Sequence, residues 1–331
     1  MVAIYVASAK RGAGKTAVGA GLGKLLLNEG KKVGFFKPLV AEIEAESADS
    51  DVAFMQHILA LAEPVDMLCP VISDGDNLAS GIKEAYIKVA QGKDVIIIED
   101  TGRPHWASIK IVEALEAKVI VVAGYADRLS ISKLSSSGGE WGEYFLGGVL
   151  NKVPRSQLES VSDEAAKSGM NILGVLPEDR ALFALTVGEL AEHIHGEILN
   201  SVEKSDELVE NIMLGAMTVD PGPLYFGRKA NKAVIVRGER PDMQLAALET
   251  PTKCLVVSGD TPPISSVVYS AESSQVPIVL TRRDVAGTVT DIENALRQTR
   301  FNQELKLPRL GEIMEQHFNF EAVCQGLGLT S

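Results

Sequence analysis

Aromatic side chains make up only 5% of this 331-residue sequence, cysteines number three, and acidic residues outnumber basic ones to leave a net charge of −12. Each scarcity excludes something. Few aromatics beside 46% hydrophobic residues disfavour an aromatic-rich sandwich and suit an α/β protein with buried Val/Ile/Ala-rich strands. Cys69, Cys254 and Cys324 lie far apart with no CxxC spacing, the usage of reduced thiols rather than of a disulfide framework or a zinc site. A deficit of basic charge argues against a general nucleic-acid binder. No apolar stretch approaches the ~20 residues of a membrane-spanning helix, and residues 1–7 lack the charged start and long apolar stretch of a secretory signal. The expectation is a soluble, cytoplasmic protein with no nucleic-acid or membrane partner. Because a single core rarely grows past ~250–300 residues, two domains are expected.

What is present begins at the amino terminus. The apolar run of residues 2–7 leads into Ser8-Ala9-Lys10-Arg11-Gly12-Ala13-Gly14-Lys15-Thr16, and a helical pattern follows. Strand, glycine-rich turn and helix in this order are the layout of a phosphate-binding P-loop. Gly12 and Gly14 let backbone N–H groups face a phosphate without Cβ atoms in the way, with Ala13 between them. The helix presents its positive end to the same anion, beginning Lys15-Thr16-Ala17. Lys15 is placed to bridge β- and γ-phosphates and Thr16 to hold Mg²⁺. The strict pattern has glycine where this chain has Ala9. The string from Lys10 to Thr16 resembles the deviant Walker A motif of dimeric P-loop ATPases, which implies that Lys10 reaches the nucleotide of a partner subunit. Arg11 stands where that motif usually has glycine.

Apolar runs then alternate with helical patterns. Strands are expected at 2–7, 32–36, 95–98, 119–123, 147–150 and 172–175, and helices at 15–29, 51–62, 80–91, 109–116, 129–134 and 157–167. This alternation predicts a doubly wound, mostly parallel sheet whose ligand loops lie at the carboxyl ends of the strands. The polar run 201–207 reads as a linker or a solvated turn. A second, smaller α/β series follows, with strands at 212–216, 233–236, 254–257 and 278–281, then a helical tail at 309–325. The expected domains are 1–200 and 205–331.

Several strand ends carry groups that suit a nucleotide. Lys37 follows the second strand and is either a surface lysine or a second cation for phosphate or an anionic substrate. Asp49 and Asp51 precede a helix; Asp49 reads as its N-cap and Asp51 as a Mg²⁺ ligand. The strand 95–98 runs into Glu99-Asp100. An acidic residue at a buried strand end is costly without a cation, and Mg²⁺ is that cation in P-loop proteins. Glu99 is the first choice and Asp100 the alternative. Asn151, ending the strand 147–150, can donate and accept together and so suits an adenine edge, or it serves as a turn residue.

These residues occur in the order seen in dethiobiotin synthetase, and the first domain resembles that family and its relatives among cobyrinic acid amide synthetases. The resemblance implies that Lys37 contacts phosphate and substrate, Asp51 and Glu99 bind Mg²⁺, and Asn151 lies by the base. Lys15 and Lys37 would be the catalytic groups. After Glu99 the family has a small glycine-rich loop, whereas this chain has Arg103, His105 and Trp106, bulky where a substrate amine would sit.

In the second half, Arg237, Arg240, Arg282 and Arg283 fall at strand ends, where arginines suit a phosphate or carboxylate; Asp242, Asp260 and Asp284 stand ready to pair with them instead. Gly238-Glu239-Arg240-Pro241-Asp242 and Ser258-Gly259-Asp260 resemble the DRTGG domain. A dethiobiotin-synthetase-like ATPase followed by DRTGG is the amino-terminal region of long phosphotransacetylases. That resemblance implies a regulatory or nucleotide-sensing protein using ATP and Mg²⁺, a homodimer, with a small anionic ligand or a partner protein at the second domain. The alternative is an ATP-dependent synthetase activating a small carboxylate. The sequence ends at Ser331, before the acetyltransferase part of that family would begin, and acetyl transfer by this chain alone is not expected.

Overall fold

The computed structural model describes residues 1–8, 10–40, 46–73, 77–100, 105–126, 130–215 and 222–329. They form two compact units, one made of residues 1–178 with 301–331 and the other of 179–300.

The first unit is a six-stranded sheet: β1 (Val2–Ala7), β2 (Val33–Phe36), β3 (Val95–Glu99), β4 (Lys118–Gly124), β5 (Phe145–Val153) and β6 (Ile172–Pro177). Its order is β2-β3-β1-β4-β5-β6, and every pairing is parallel. Helices α1 (Lys15–Asn28), α2 (Glu46–Ile58), α3 (Leu78–Ala90), α4 (His105–Leu115), α5 (Ser130–Gly139) and α6 (Leu158–Lys167) connect the strands. Strands covered on both faces need apolar residues at successive positions rather than at alternate ones. Ile96, Ile97 and Ile98 accordingly have no exposed surface. From β1 the chain runs to β2 and back to β3, then out the other way through β4 to β6. The direction reverses beside β1, the place where open α/β sheets bind ligands, and the loop leaving β1 is the glycine-rich turn.

The second unit carries α7 (Val187–His193), β7 (Glu197–Ile198), β8 (Asn211–Leu214), α8 (Gly222–Phe226), β9 (Lys232–Arg237), α9 (Pro241–Leu248), β10 (Thr252–Ser258), α10 (Ser265–Ser273), β11 (Ile278–Thr281) and α11 (Val285–Gln298). Its sheet order is β7-β11-β10-β9-β8, parallel except for β7. Two apolar clusters sandwich it, one including Leu190, Ile194 and Ile292 and the other Phe226, Met243 and Val267.

The fold class is the expected one, but the units divide elsewhere than the boundaries 1–200 and 205–331 read from composition. The run 201–207 lies inside the second unit, because β7 upstream of it already pairs with β11. Its charges are those of an exposed turn in which Glu207 takes Lys204 at 2.9 Å and Lys253 at 2.6 Å. The tail, α12 (Leu307–His317) and α13 (Phe320–Gly326), returns to the first unit. Asn319 N–H donates to Leu173 O at 2.6 Å. On α1 a Cβ at Gly21 would meet Met314 Cγ at 2.9 Å, so the small residue permits close packing against α12. The ring of Phe301 meets Phe54 of α2 edge-on at 5.7 Å. The helix expected at 51–62 starts at Glu46, which puts Asp49 inside it rather than at its cap. Ala9, Arg103 and residues 216 and 129 of the expected elements fall outside the described residues.

Candidate functional site

Gly12 and Gly14 adopt left-handed backbone angles, φ 73° and 99°, which strain any residue with a Cβ. Gly14 is the N-cap of α1, with no capping side chain and no acidic residue in the first turn. The orphan N–H groups of that turn are therefore left to an external acceptor. Lys15 Nζ donates to Ser8 Oγ at 2.9 Å, and Ser8 Oγ to Lys10 O at 2.9 Å. Ala13 and Ala17 are buried, Gly14, Lys15 and Thr16 are half-buried, and Lys10, Arg11 and Gly12 are exposed. The loop thus opens its basic residues outward while its apolar ones anchor it.

Strand register assembles the carboxylates. Phe36 lies opposite Ile98, and Val6 opposite Glu99, so Glu99 sits between Lys37 and the start of the glycine-rich turn. Lys37 Nζ reaches Glu99 Oε1 at 2.7 Å and Asp51 Oδ2 at 3.0 Å. Burial pulls the Lys37 ammonium toward neutrality, but Glu99 and then Asp51 outweigh it and push the pKa up to about 12. The amine is a held cation, neither a surface lysine nor a base. Glu99 is 4% exposed, and its Oε2 is buried with no hydrogen-bond partner. A buried carboxylate oxygen without a donor is a costly vacancy in the hydrogen bonding. The donor set suits a hard cation such as Mg²⁺, which takes oxygen ligands and retains waters; Glu99 Oε2, the Thr16 hydroxyl and Asp51 are the groups that could hold it.

Glu99 and Asp100 are separated by the pleat, which sends neighbouring side chains to opposite faces. Asp100 Oδ1 accepts from Tyr5 Oη and from Ser108 Oγ, both at 2.8 Å. Burial and then the Asp100 charge hold the Tyr5 phenol well above its usual range. Asp100, the alternative metal ligand, is thereby committed to an internal network, and Glu99 remains. Nearby, His105 opens α4, pairs with Glu140 at 3.3 Å and stacks edge-on with Trp141 at 5.4 Å. Trp106 is exposed under Lys110 Nζ.

Asn151 is 9% exposed. Its Nδ2 donates to Ala13 O at 2.9 Å, and its Oδ1 accepts from Lys152 N at 2.9 Å. Lys152 Nζ donates to Gly12 O at 2.7 Å. Burial lowers the Lys152 pKa, with Glu178 opposing. Lys152, Tyr5 and Ser108 escaped the sequence reading. A lysine near a strand end, a tyrosine inside a strand and a serine on a helix carry no spacing signal; the fold brings Lys152 to the loop and Tyr5 and Ser108 to Asp100.

In the second unit, Arg240 forks onto Asp242 at 2.9 and 2.7 Å. Arg283 faces Asp291 at 3.2 Å, not Asp284; Asp284 caps α11 by accepting from Gly287 N–H at 2.8 Å. Among the described residues, Arg237 and Arg282 have no ion pair. The loops do meet at one edge, since Gly259 N–H bonds both Thr281 O and Arg283 O.

Comparison with known families matches this architecture. The AAA-domain family model matches residues 2–185, more than half of the chain. The chain belongs to this AAA-domain family. Behind that domain, the DRTGG domain matches residues 189–295. Two phosphate acetyltransferases are similar along 99% of the chain: that of Pseudomonas aeruginosa at 24% identity and that of Nitrosomonas europaea at 22%, with 52% of each relative covered. The chain thus spans about half the length of these relatives, and its domain order is that of the amino-terminal region of long phosphotransacetylases. Among solved structures, the MinD cell division protein of Aquifex aeolicus overlaps 55% of this chain and 84% of its own, at 17% identity and a TM-score of 0.38.

Proposed function

We propose that this chain is a Mg-ATP-binding P-loop module with a regulatory or nucleotide-sensing role, acting in the setting of a phosphate acetyltransferase. The observation that carries the reading is Glu99 Oε2, buried and unpartnered beside the held cation Lys37, next to a helix terminus that no side chain caps. Mg²⁺ bound there would neutralise phosphate charge, and Lys15 and Lys37 would position the terminal phosphates. Lys10 would reach the nucleotide of a second copy, a role that the deviant Walker A resemblance implies and that its exposure supports. Arg237 and Arg282 are the cations left for a small anionic ligand or a partner protein at the DRTGG unit. The regulatory role is favoured because the similarity takes in a P-loop domain and a DRTGG domain together, along about half of each acetyltransferase.

The test is titration with a fluorescent ATP analogue, with Mg²⁺ and with excess EDTA, followed by ADP release with a panel of small carboxylates and amines. Binding that needs Mg²⁺ and is lost in Lys15→Ala is expected, with ADP release indifferent to the panel. Unchanged affinity in Lys15→Ala would overturn the site. Substrate-dependent ADP release would replace the regulatory role by the carboxylate-activating synthetase. Light scattering with and without Mg-ATP tests the dimer.

A further inference from the structure

Three local irregularities meet at residues 151–152. Lys152 has φ 62°, an uncommon backbone conformation for a residue with a Cβ. The pairing of β5 with β6 shifts register between Leu150 and Val153, and such irregularities re-aim side chains near functional sites. The Lys152 amine is partly withdrawn from water, with burial lowering its pKa. The strand is held from the other side, where Gly124 pairs with Asn151 and Tyr125 N–H donates to Asn151 O at 2.7 Å.

What these features deliver is two hydrogen bonds on consecutive carbonyls of the glycine-rich loop, Lys152 Nζ to Gly12 O and Asn151 Nδ2 to Ala13 O. In a planar trans peptide the carbonyl and the following N–H point in opposite directions. Drawing Gly12 O and Ala13 O toward β5 therefore turns the N–H groups of Ala13 and Gly14 away from it. The fit leaves no slack: a Cβ on Gly14 would lie 2.1 Å from Asn151 Nδ2. Both ends of the Asn151 amide are engaged inside the protein, the donor by the loop and the acceptor by the Lys152 N–H.

We propose that Asn151 and Lys152 are positioning residues that brace the P-loop, so that their contribution to binding falls on the polyphosphate whatever base it carries. The proposal rests on the nucleotide reading above and refines the role of Asn151, from reader of the base to support of the loop that holds the phosphates.

A ligand with no base separates the two roles. Calorimetry with excess Mg²⁺ would compare ATP, GTP and inorganic tripolyphosphate on wild type, Lys152→Asn, Lys152→Arg and Asn151→Ala. Asparagine tolerates positive φ, so Lys152→Asn removes the amine without adding strain. It should keep the wild-type melting temperature within a few degrees and weaken ATP and tripolyphosphate by the same factor. That factor is about tenfold, the scale of one charge-assisted hydrogen bond. Lys152→Arg should restore most of the loss, and the ratio of ATP to GTP affinity should stay at its wild-type value in every variant. Losses confined to ATP, or a changed ATP-to-GTP ratio, would overturn the brace in favour of base reading. Unchanged affinity for both ligands in Lys152→Asn and Asn151→Ala would overturn it as well. A wild-type protein that binds neither ligand would sink the nucleotide reading itself and the brace with it, an outcome distinct from the other two.

Discussion

The two loop clusters of this protein use similar charges and wire them oppositely. In the first unit the partners lie far apart in sequence: Lys37 meets Glu99 62 residues on, and Lys152 reaches back 140 residues to Gly12. The groups are mostly buried, and one carboxylate oxygen of Glu99 is left over. In the second unit Arg240 meets Asp242 two residues along, in α9, and Arg283 meets Asp291 eight along, in α11, with every partner partly exposed. Local pairs in water contribute little and hold their loop without outside help. Buried long-range groups cost desolvation that the protein offsets only in part, and Glu99 Oε2 is left without a hydrogen-bond partner. The charges of the two clusters look alike on paper, but in the first they are buried and drawn from distant parts of the chain, and in the second they pair locally and nearer to solvent.

The contrast can be broken by substitution. Lys37→Met leaves Glu99 and Asp51 without their cation and should lower the urea-unfolding free energy by about 3–5 kcal/mol, the cost of stranding a buried charge; the matching Arg240→Met should leave unfolding unchanged. Equal effects in the two variants would erase the distinction. Gly14→Ala comes next, since φ 99° and the contact with Asn151 add strain of order 1–3 kcal/mol. Mg-ATP binding should be lost with a smaller fall in stability, visible as a lower melting temperature and no binding heat.

The pH dependence is smaller and its sign is set by a raised pKa. Lys37 titrates at about 12 in the folded state against 10.5 as a free group, so the native state holds its proton longer. Its stabilisation, about 2 kcal/mol for a shift of that size, is complete below pH 10.5 and disappears as pH rises through 12. The stability gap between wild type and Lys37→Met should therefore narrow across that window, and a gap that widens would refute the assignment. The smallest effect is a labelling rate. Burial raises the Cys254 thiol to about 12 in the second unit, whereas Cys324 in the first is half-buried. In a Cys69→Ser background, which removes the other buried thiol, a thiol reagent should modify Cys324 well before Cys254, making the slow phase a clock for opening of the second unit. Mg-ATP slowing that phase would tie the two clusters together.

Much of the fold was legible because strands and helices are local patterns. The strands 2–7 and 278–281 stand where periodicity put them. The strand expected at 147–150 runs from Phe145 to Val153, because Gly147 and Gly148 interrupt the apolar pattern while pairing with β4 continues through Asn151. Composition left the charged run 201–207 open between a linker and a solvated turn, because it senses exposure, not which sheet a segment belongs to. The same blindness left the tail 301–331 with the wrong neighbour, since a helix reads the same whichever unit its apolar stripe packs on.

By itself the sequence determined the turn at 8–16, its two left-handed glycines and the strand-helix order that puts a positive helix end beneath it, all set by backbone sterics over a few residues. The tertiary structure decided what that turn works with. Glu99 and Asp100 are chemically near-equal neighbours, and the pleat gave one to Lys37 with an oxygen to spare and the other to Tyr5 and Ser108. Lys152 became part of the loop because strand pairing carried it across 140 residues. The cost of a buried polar group depends on neighbours that only the closed sheet supplies.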